Sequence, residues 1–464
     1  MPLSIEIPTA TLGTRAERRK QGKELRRAVR RETHGDVQDL GSRNAIAILA
    51  ESDPDRVPEL VPERYKRMME NPFAFLRGAA AVMAADLAKQ PMVGIQVQAG
   101  GDSHLMNFGA FATPEDNILF DVNDFDETIP GVDFTVDLKR LATSVAVAAL
   151  ANGEAKKRAR ALAAAIVAAY REHMFGLAKL SPLEIWHSRI DLEQELKLLS
   201  NKALKRKLTT IIAKARGQGL DRDDNFPHLM SGSELRIADK PPTMFHLDPR
   251  ADAPHKFEAE RVFSLYRDCL SADRRHILDR HKMVDLAFKA VGVGSVGTFC
   301  LVALLMTGDG EPIFLQLKQA QRSALERLGG GAVYDGHQGR RVVEGQQMMQ
   351  AASDIFLGHT QDDSSGRQFY VRTLKNHRLG GISEISEARA LSDYASLCGR
   401  TLARAHARSG DPAAIAGYMG KSEVMDDAIA SFAMTYAAQT VTDHAALVRA
   451  KTIRDGEKLK LVAA

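Results

Sequence analysis

A nine-residue stretch, Gly100-Gly101-Asp102-Ser103-His104-Leu105-Met106-Asn107-Phe108, constrains this chain more than any other feature, together with the hairpin pattern that follows it. Asp102 and Asn107 stand five positions apart. A short apolar segment follows, then a turn over Thr113-Pro114-Glu115-Asp116-Asn117, then a second apolar segment, Ile118 to Val122. That segment runs into an acidic cluster of Asp121, Asp124, Asp126 and Glu127. The order suits phosphoryl transfer, in which one carboxylate orients an attacking hydroxyl while an amide oxygen and a second carboxylate hold a metal on the phosphates. Asp102 is the candidate for the first role. Asn107 and Asp124 are candidates for the metal, with Asp121 and Asp126 as competitors. His104 is a candidate catalytic acid, but a hydrogen-bonding role that positions the loop is the favoured reading. A calcium loop is disfavoured, because counting from Asp121 the sixth position is Asp126 rather than Gly and the twelfth is Val132 rather than Glu.

The second informative stretch runs from Val284 to Lys318. Its glycines, Gly292-Val293-Gly294-Ser295-Val296-Gly297, form a GxGxxG pattern that is weak evidence alone. In a dinucleotide fold such glycines open a helix. Here a β-rich run follows (Thr298 to Leu305), then the turn Thr307 to Pro312, then a strand from Ile313 to Lys318. Strand, glycine loop, strand, turn and a strand carrying a lysine is an arrangement that covers nucleotide phosphates. Glycine lets loop amides approach them, and the lysine binds them. Gly292, Gly294, Ser295, Gly297 and Lys318 are therefore the candidate nucleotide-binding residues. Glu344, on the helical pattern Arg341 to Gln350, is favoured over Glu326 as the partner of Lys318. Phe369 to Lys375 reads as a strand suited to a hinge.

The D-x-x-x-x-N spacing resembles the kinase catalytic loop, and Asp124-Phe125 resembles the metal-binding Asp-Phe pair. The order, however, is reversed: the glycine loop and lysine follow the catalytic-like loop. Joining the chain ends restores the usual order, and a circular permutation is physically reasonable because termini often lie close together. The expected fold is α+β: a permuted, kinase-like, two-lobed arrangement with a large helical lobe and a small antiparallel-sheet lobe. Residues 1–35 are expected to form a basic segment and 36–260 a helical lobe with the loop and hairpin. Residues 261–380 would be the β-rich lobe, and 381–464 would complete the helical one.

Elsewhere the patterns are blander. Arg15 to Arg31 holds nine Arg and Lys residues in a helix-compatible run without interleaved aromatics, which favours a solvated helix face over an RNA-binding patch. Arg64 and Arg77, with Lys66 and Arg67, lie close in sequence to the acidic centre, either to clamp phosphate or to serve as its counter-ions. Asp137 reads as the N-cap of a helix over Leu138 to Ala151, followed by a second from about Glu154 to Leu177. Leu235-Arg236-Ile237 and Thr243 to Leu247 resemble a short hairpin. Cys269, Cys300 and Cys398 offer no paired spacing, the net charge is only +4, and no apolar run is long enough to cross a bilayer. A cytoplasmic protein is expected, with no membrane span and no nucleic-acid partner.

These residues resemble the bacterial domain-of-unknown-function 2252 family. The resemblance lies in Arg64 to Met68, Pro72 to Gly78, Gly101 to Gly109, Asn123 to Glu127 and Asp137 to Ala142, and later in Leu315 to Lys318, Val342 to Gln347, Phe369 to Leu374 and Leu402 to Asp411. It covers roughly residues 20–450. A looser resemblance is to aminoglycoside and choline kinases, whose Gly-Asp-x-His-x-x-Asn loop is similar to Gly101–Asn107. It implies that Asp102 is the catalytic base, that Asn107 and Asp124 are magnesium ligands, and that Asp137 is a buried brace behind the loop. Two departures stand out: Gly100 replaces the usual His before Gly-Asp, and Asp126 replaces the usual Gly after Asp-Phe. The expected function is an ATP- and Mg²⁺-dependent phosphotransferase acting on a hydroxyl of an unidentified small-molecule or protein acceptor. The alternatives are nucleotidyl transfer from the same site, or a nucleotide-binding pseudokinase acting as a regulatory module.

Overall fold

The run Cys300-Leu301-Val302-Ala303-Leu304-Leu305 is apolar without alternation, and such a run suits a strand covered on both faces. It is the middle of the larger sheet. In the computed structural model, which describes residues 13–37, 39–40, 43–113, 115, 117–216, 227–230, 235–241, 243–246, 257–290, 296–330, 332–374 and 388–462, every side chain from Cys300 to Leu305 is buried. In chain order the strands are β1 (Gln96–Ala99), β2 (Phe108–Ala112), β3 (Ile118–Val122), β4 (Ile129–Asp133), β5 (Leu229–Met230) and β6 (Arg236–Ile237). They continue with β7 (Met244–Phe245), β8 (Lys282–Lys289), β9 (Cys300–Met306), β10 (Pro312–Gln319), β11 (Gly358–Asp362) and β12 (Arg367–Thr373). The larger sheet is antiparallel with the order β11-β12-β10-β9-β8-β7.

Alternation along β10 decides what each face does. Leu315 and Leu317 enter a core with Leu301, Leu305, Phe369 and Val371, covered by Val262 and Tyr266 of the helix Ala259–Cys269. Gln316 and Lys318 point to the other face. Register places Lys318 opposite Tyr370 of β12, so the two share that face.

The largest core cluster is mainly helical, with β2 and β3 packed into it. Thr135–Ala151 has every side chain from Thr135 to Ala149 buried, as expected of a helix enclosed on all sides. Lys156–Leu177, Ala388–Ser409 and the long helix Val424–Val462 surround it. Gln338–Met349 lies between the sheet and this helical body, with Val342 and Met349 in the helical core. The six-stranded antiparallel sheet and the helical body thus form two parts of an α+β arrangement, with the two-stranded β2–β3 pair packed into the helical core.

Several local expectations change. The central helix starts at Thr135, so Asp137 lies in its first turn and is not its cap. Asp133 instead accepts from the Thr135 amide at 3.0 Å. β6 pairs with β5 and β7 with β8, so 235–237 and 243–246 do not form one hairpin, and Leu247 lies outside the described residues. The basic run forms a helix, Arg15–Glu24, but part of it is docked rather than solvated. A Cβ on Gly22 would lie 2.0 Å from Ala414 O, and one on Gly417 would lie 2.1 Å from Arg19 O. Arg26 Nε and Arg31 then donate to Tyr418 O (2.7 Å) and Met419 O (2.8 Å) at the C-terminal end of helix Pro412–Met419. Cations are favoured at that end of the helix dipole. No helix among the described residues is long and apolar enough to cross a membrane.

Candidate active site

β1 ends at Ala99 and the chain turns through Gly100-Gly101. Gly101 has φ +84°, and a Cβ there would meet Glu127 O at 2.4 Å, so both conformation and space require glycine. The Asp137 carboxylate accepts from the Gly100 and Gly101 amides at 2.7 and 2.9 Å, and His406 Nε2 lies 3.2 Å from it. Burial works to raise the Asp137 pKa, but the His406 and amide hydrogen bonds outweigh it and hold the carboxyl below its ordinary value. Asp137 is thus a buried brace of the loop.

The turn delivers Asp102 to the floor of a cleft of about 570 Å³ between the sheet and the helical body. Arg140, one helical turn beyond Asp137, donates from Nε to Asp102 Oδ1 at 2.7 Å and from a second nitrogen to Leu76 O at 2.9 Å. His104 is buried. Its Nδ1 accepts from the Met106 amide at 3.1 Å, which leaves the proton on Nε2, 3.6 Å from Asp102 Oδ2 and outside hydrogen-bond range. Burial pulls the His104 pKa down to about 3, so the ring is neutral at pH 7. It caps the short turn Leu105–Asn107 and positions the loop.

Asn107 lines the cleft, and its Nδ2 donates to Asp102 O at 2.8 Å, which leaves the amide oxygen as the group a metal could use. The Asn107 carbonyl accepts from Asn123 N at 3.0 Å, which draws the end of β3 beside the loop and puts Asp124 next to Asn107. Burial would raise the Asp124 pKa, but Lys318 and Arg372 overcome that and keep the carboxyl below its ordinary value. One ionised carboxylate and one amide oxygen are a hard donor pair of the kind that holds Mg²⁺ jointly with substrate phosphates and water. Among the described residues, no group of three or more His, Cys, Asp or Glu side chains is arranged to hold a metal ion without such help.

Asp126 is not available in the same way. Lys318 Nζ contacts its Oδ2, and the Tyr370 hydroxyl donates to its Oδ1 at 2.8 Å. Burial lowers the Lys318 pKa, but Asp126 and Tyr370 raise it further, for a net upward shift. The carboxylate expected beside Lys318 is therefore Asp126, not Glu344. Glu344 sits on the exposed side of its helix and bonds Arg340 Nε at 2.6 Å. The helix instead presents buried Arg341, which donates to Asp126 O at 2.9 Å and Gln321 O at 2.7 Å. Glu326 is taken by Arg322 at 2.7 Å.

Asp121 is a structural group. It is fully buried, accepts from Val122 N and Ala351 N at 2.9 Å each, and contacts Arg404. It is not among the residues that line the cleft, so it is not placed to hold a metal there. Arg64 and Arg77 both line the cleft, but Arg64 bonds Asp53 (2.8 Å) and Leu49 O (3.1 Å), so it is not a counter-ion of the acidic cluster. Gly297 has φ +88°, and its carbonyl accepts from Val57 N at 2.7 Å, which ties it to the segment at Arg56. Gly292, Gly294 and Ser295 lie outside the described residues.

Sequence reading missed Arg140, Arg56, Tyr370 and Arg372. The first had a usable signal, three positions after Asp137 on one helix face. Tyr370 and Arg372 reach the site through strand register, which sequence does not display.

The fold and site define an α+β protein with a polar cleft between an antiparallel sheet and a helical body. The chain belongs to the domain-of-unknown-function 2252 family, described as an uncharacterized protein conserved in bacteria, whose family model matches residues 56–450. Comparison with curated proteins and with solved structures gives no match.

Proposed function

We propose that this chain is an ATP- and Mg²⁺-dependent phosphotransferase acting on a hydroxyl acceptor, with a kinase-like two-lobed arrangement in circularly permuted order. The observation that carries the reading is one cleft lined by Asp102, Asn107 and Asp124, with Lys318 bonded to Asp126 at its wall. The permuted order is supported by the helix Ala388–Ser409, which follows the sheet in sequence yet braces the loop of residue 102 through His406 and Asp137.

In the proposed reaction the acceptor oxygen forms a bond to the γ-phosphorus while the bond to the β–γ bridging oxygen breaks. The electron pair leaves with ADP, and the hydroxyl proton passes to Asp102 and on to solvent. Arg140 holds one Asp102 oxygen and leaves the other to orient the hydroxyl. Lys318 exchanges Asp126 for the phosphates. Asn107 Oδ1 and Asp124 would hold Mg²⁺, which supplies charge neutralisation on the phosphates. Positioning and fixed charge carry most of the catalysis in such a site.

The test is product analysis after incubation with ATP and Mg²⁺, with water as the default acceptor. ADP release that disappears in Asp102→Asn, with ATP binding retained, supports the reading. Pyrophosphate release would replace it with nucleotidyl transfer. Tight ATP binding without any product would make the chain a pseudokinase.

A further inference from the structure

The cleft contains a second cluster of positive charge apart from the one at Lys318. Arg56 is 9% exposed and Arg64 is 3% exposed, and both line the cleft wall formed by the segment before the catalytic-like loop. Arg56 donates to Val296 O at 2.5 Å, and Arg64 bonds Leu49 O and Asp53. Among the described residues, the Nε of each guanidinium is buried without a hydrogen-bond partner. Buried donors of this kind are costly to leave unmade. The Asp53 carboxylate pairs with Arg64, and its other oxygen is occupied by the Tyr65 hydroxyl at 2.7 Å. Arg64 thus shares its carboxylate with Tyr65, while Arg56 lies near Asp53 and Glu127 with no carboxylate bonded to it among the described residues. Burial first, and the neighbouring Arg64 second, lower the Arg56 pKa to about 10 against the opposing charges of Asp53 and Glu127.

We propose that Arg56 and Arg64 form an oxyanion subsite for the acceptor, so that the molecule phosphorylated here carries a carboxylate or phosphate group in addition to its hydroxyl. The term acceptor rests on the phosphotransferase reading; the oxyanion subsite does not. Planar guanidinium forks suit bidentate recognition of such groups. The separation of the clusters argues against a nucleotide role for this pair. Lys318 and Arg372 act on Asp124, and Lys318 bonds Asp126, whereas Arg64 bonds Asp53 and Arg56 lies near Asp53 and Glu127. A cleft of about 570 Å³ lies within the usual size for small-molecule sites.

The experiment titrates inorganic phosphate, as a minimal oxyanion, and separately ATP with Mg²⁺, into wild type, Arg56→Gln, Arg56→Lys, Arg64→Gln and Lys318→Ala. Thermal melts check folding, and Arg64→Gln serves if Arg56→Gln does not fold. The expected result is phosphate binding weakened about tenfold or more by Arg56→Gln or Arg64→Gln, partly restored in Arg56→Lys, and retained in Lys318→Ala. ATP binding follows the opposite pattern, weakened by Lys318→Ala and retained in Arg56→Gln. No phosphate binding by wild type, or binding indifferent to both arginines, overturns the subsite. ATP and phosphate weakened equally by Arg56→Gln would assign the arginines to the nucleotide and overturn the acceptor role. Arginine-dependent phosphate binding with no ATP binding at all would remove the phosphotransferase reading and leave the oxyanion subsite standing.

Discussion

Arg140 Nε lies 2.7 Å from Asp102 Oδ1, and this buried guanidinium fixes the carboxylate at the centre of the cleft. Asp137, on the same helix, holds the backbone of the Gly100-Gly101 turn. One helix thus sets both the path of the loop and the direction of its carboxylate.

Removing Arg140 leaves Asp102 and Leu76 O without their donor. Arg140→Met should destabilise the fold by about 3 kcal/mol, the scale for breaking a buried pair. Arg140→Lys should stay folded but lower turnover more than it changes ATP affinity, because it keeps the charge and loses the fixed fork. Urea melts and ADP-release rates check the two parts. Unchanged turnover in Arg140→Lys would contradict the positioning role.

The three aspartates of the hairpin region separate by partner. Asp124→Ala should remove the Mg²⁺ dependence of ATP binding. Asp126→Ala should leave that dependence in place, because Asp126 is engaged with Lys318 and Tyr370. Asp121→Ala should chiefly lower stability, since it strands buried Arg404. Calorimetry of each variant with and without Mg²⁺ distinguishes them, and loss of metal dependence in Asp126→Ala alone would reverse the assignment.

The Asp137 carboxyl lies below its ordinary value in the folded protein, so the folded state binds fewer protons there than the unfolded state. Its contribution is fully present above the unfolded value of about 4 and is lost as pH falls through the lower folded value. Urea midpoints measured downward from pH 6 should therefore fall in acid, and the fall should be shallower in Asp137→Asn. Parallel curves for the two proteins would contradict this linkage.

The docked N-terminal helix depends on two close backbone approaches. Gly417→Ala places a methyl against Arg19 O and should cost roughly 1–3 kcal/mol, the range for overpacking. Thermal melts, with limited proteolysis near Arg26, should show lower stability and faster cleavage of the N-terminal segment. An unchanged cleavage rate would contradict the docking.

The features legible in sequence were local ones. β9 and β10 follow from apolar runs separated by the turn Thr307 to Pro312, and the β2–β3 hairpin from its own turn residues. The Gly100 to Asn107 loop followed from turn-forming glycines and polar residues at close spacing. The carboxylate that meets Lys318 was not legible, because Asp126 is 192 positions away and reaches the lysine only through tertiary packing. Helical periodicity pointed to Glu344, but periodicity does not say which face of Gln338–Met349 turns toward the site, and Arg341 holds that place. The docking of the basic helix was hidden for the same reason. Gly22 and Gly417 look ordinary in sequence and become informative only where two backbones meet.

The most direct test of the central claim is calorimetric titration of ATP, with and without Mg²⁺, into wild type, Lys318→Ala and Asp124→Ala, each checked for an intact fold. The account predicts metal-dependent binding in wild type that weakens in both variants. Absence of ATP binding in wild type, or binding indifferent to both substitutions, would contradict it.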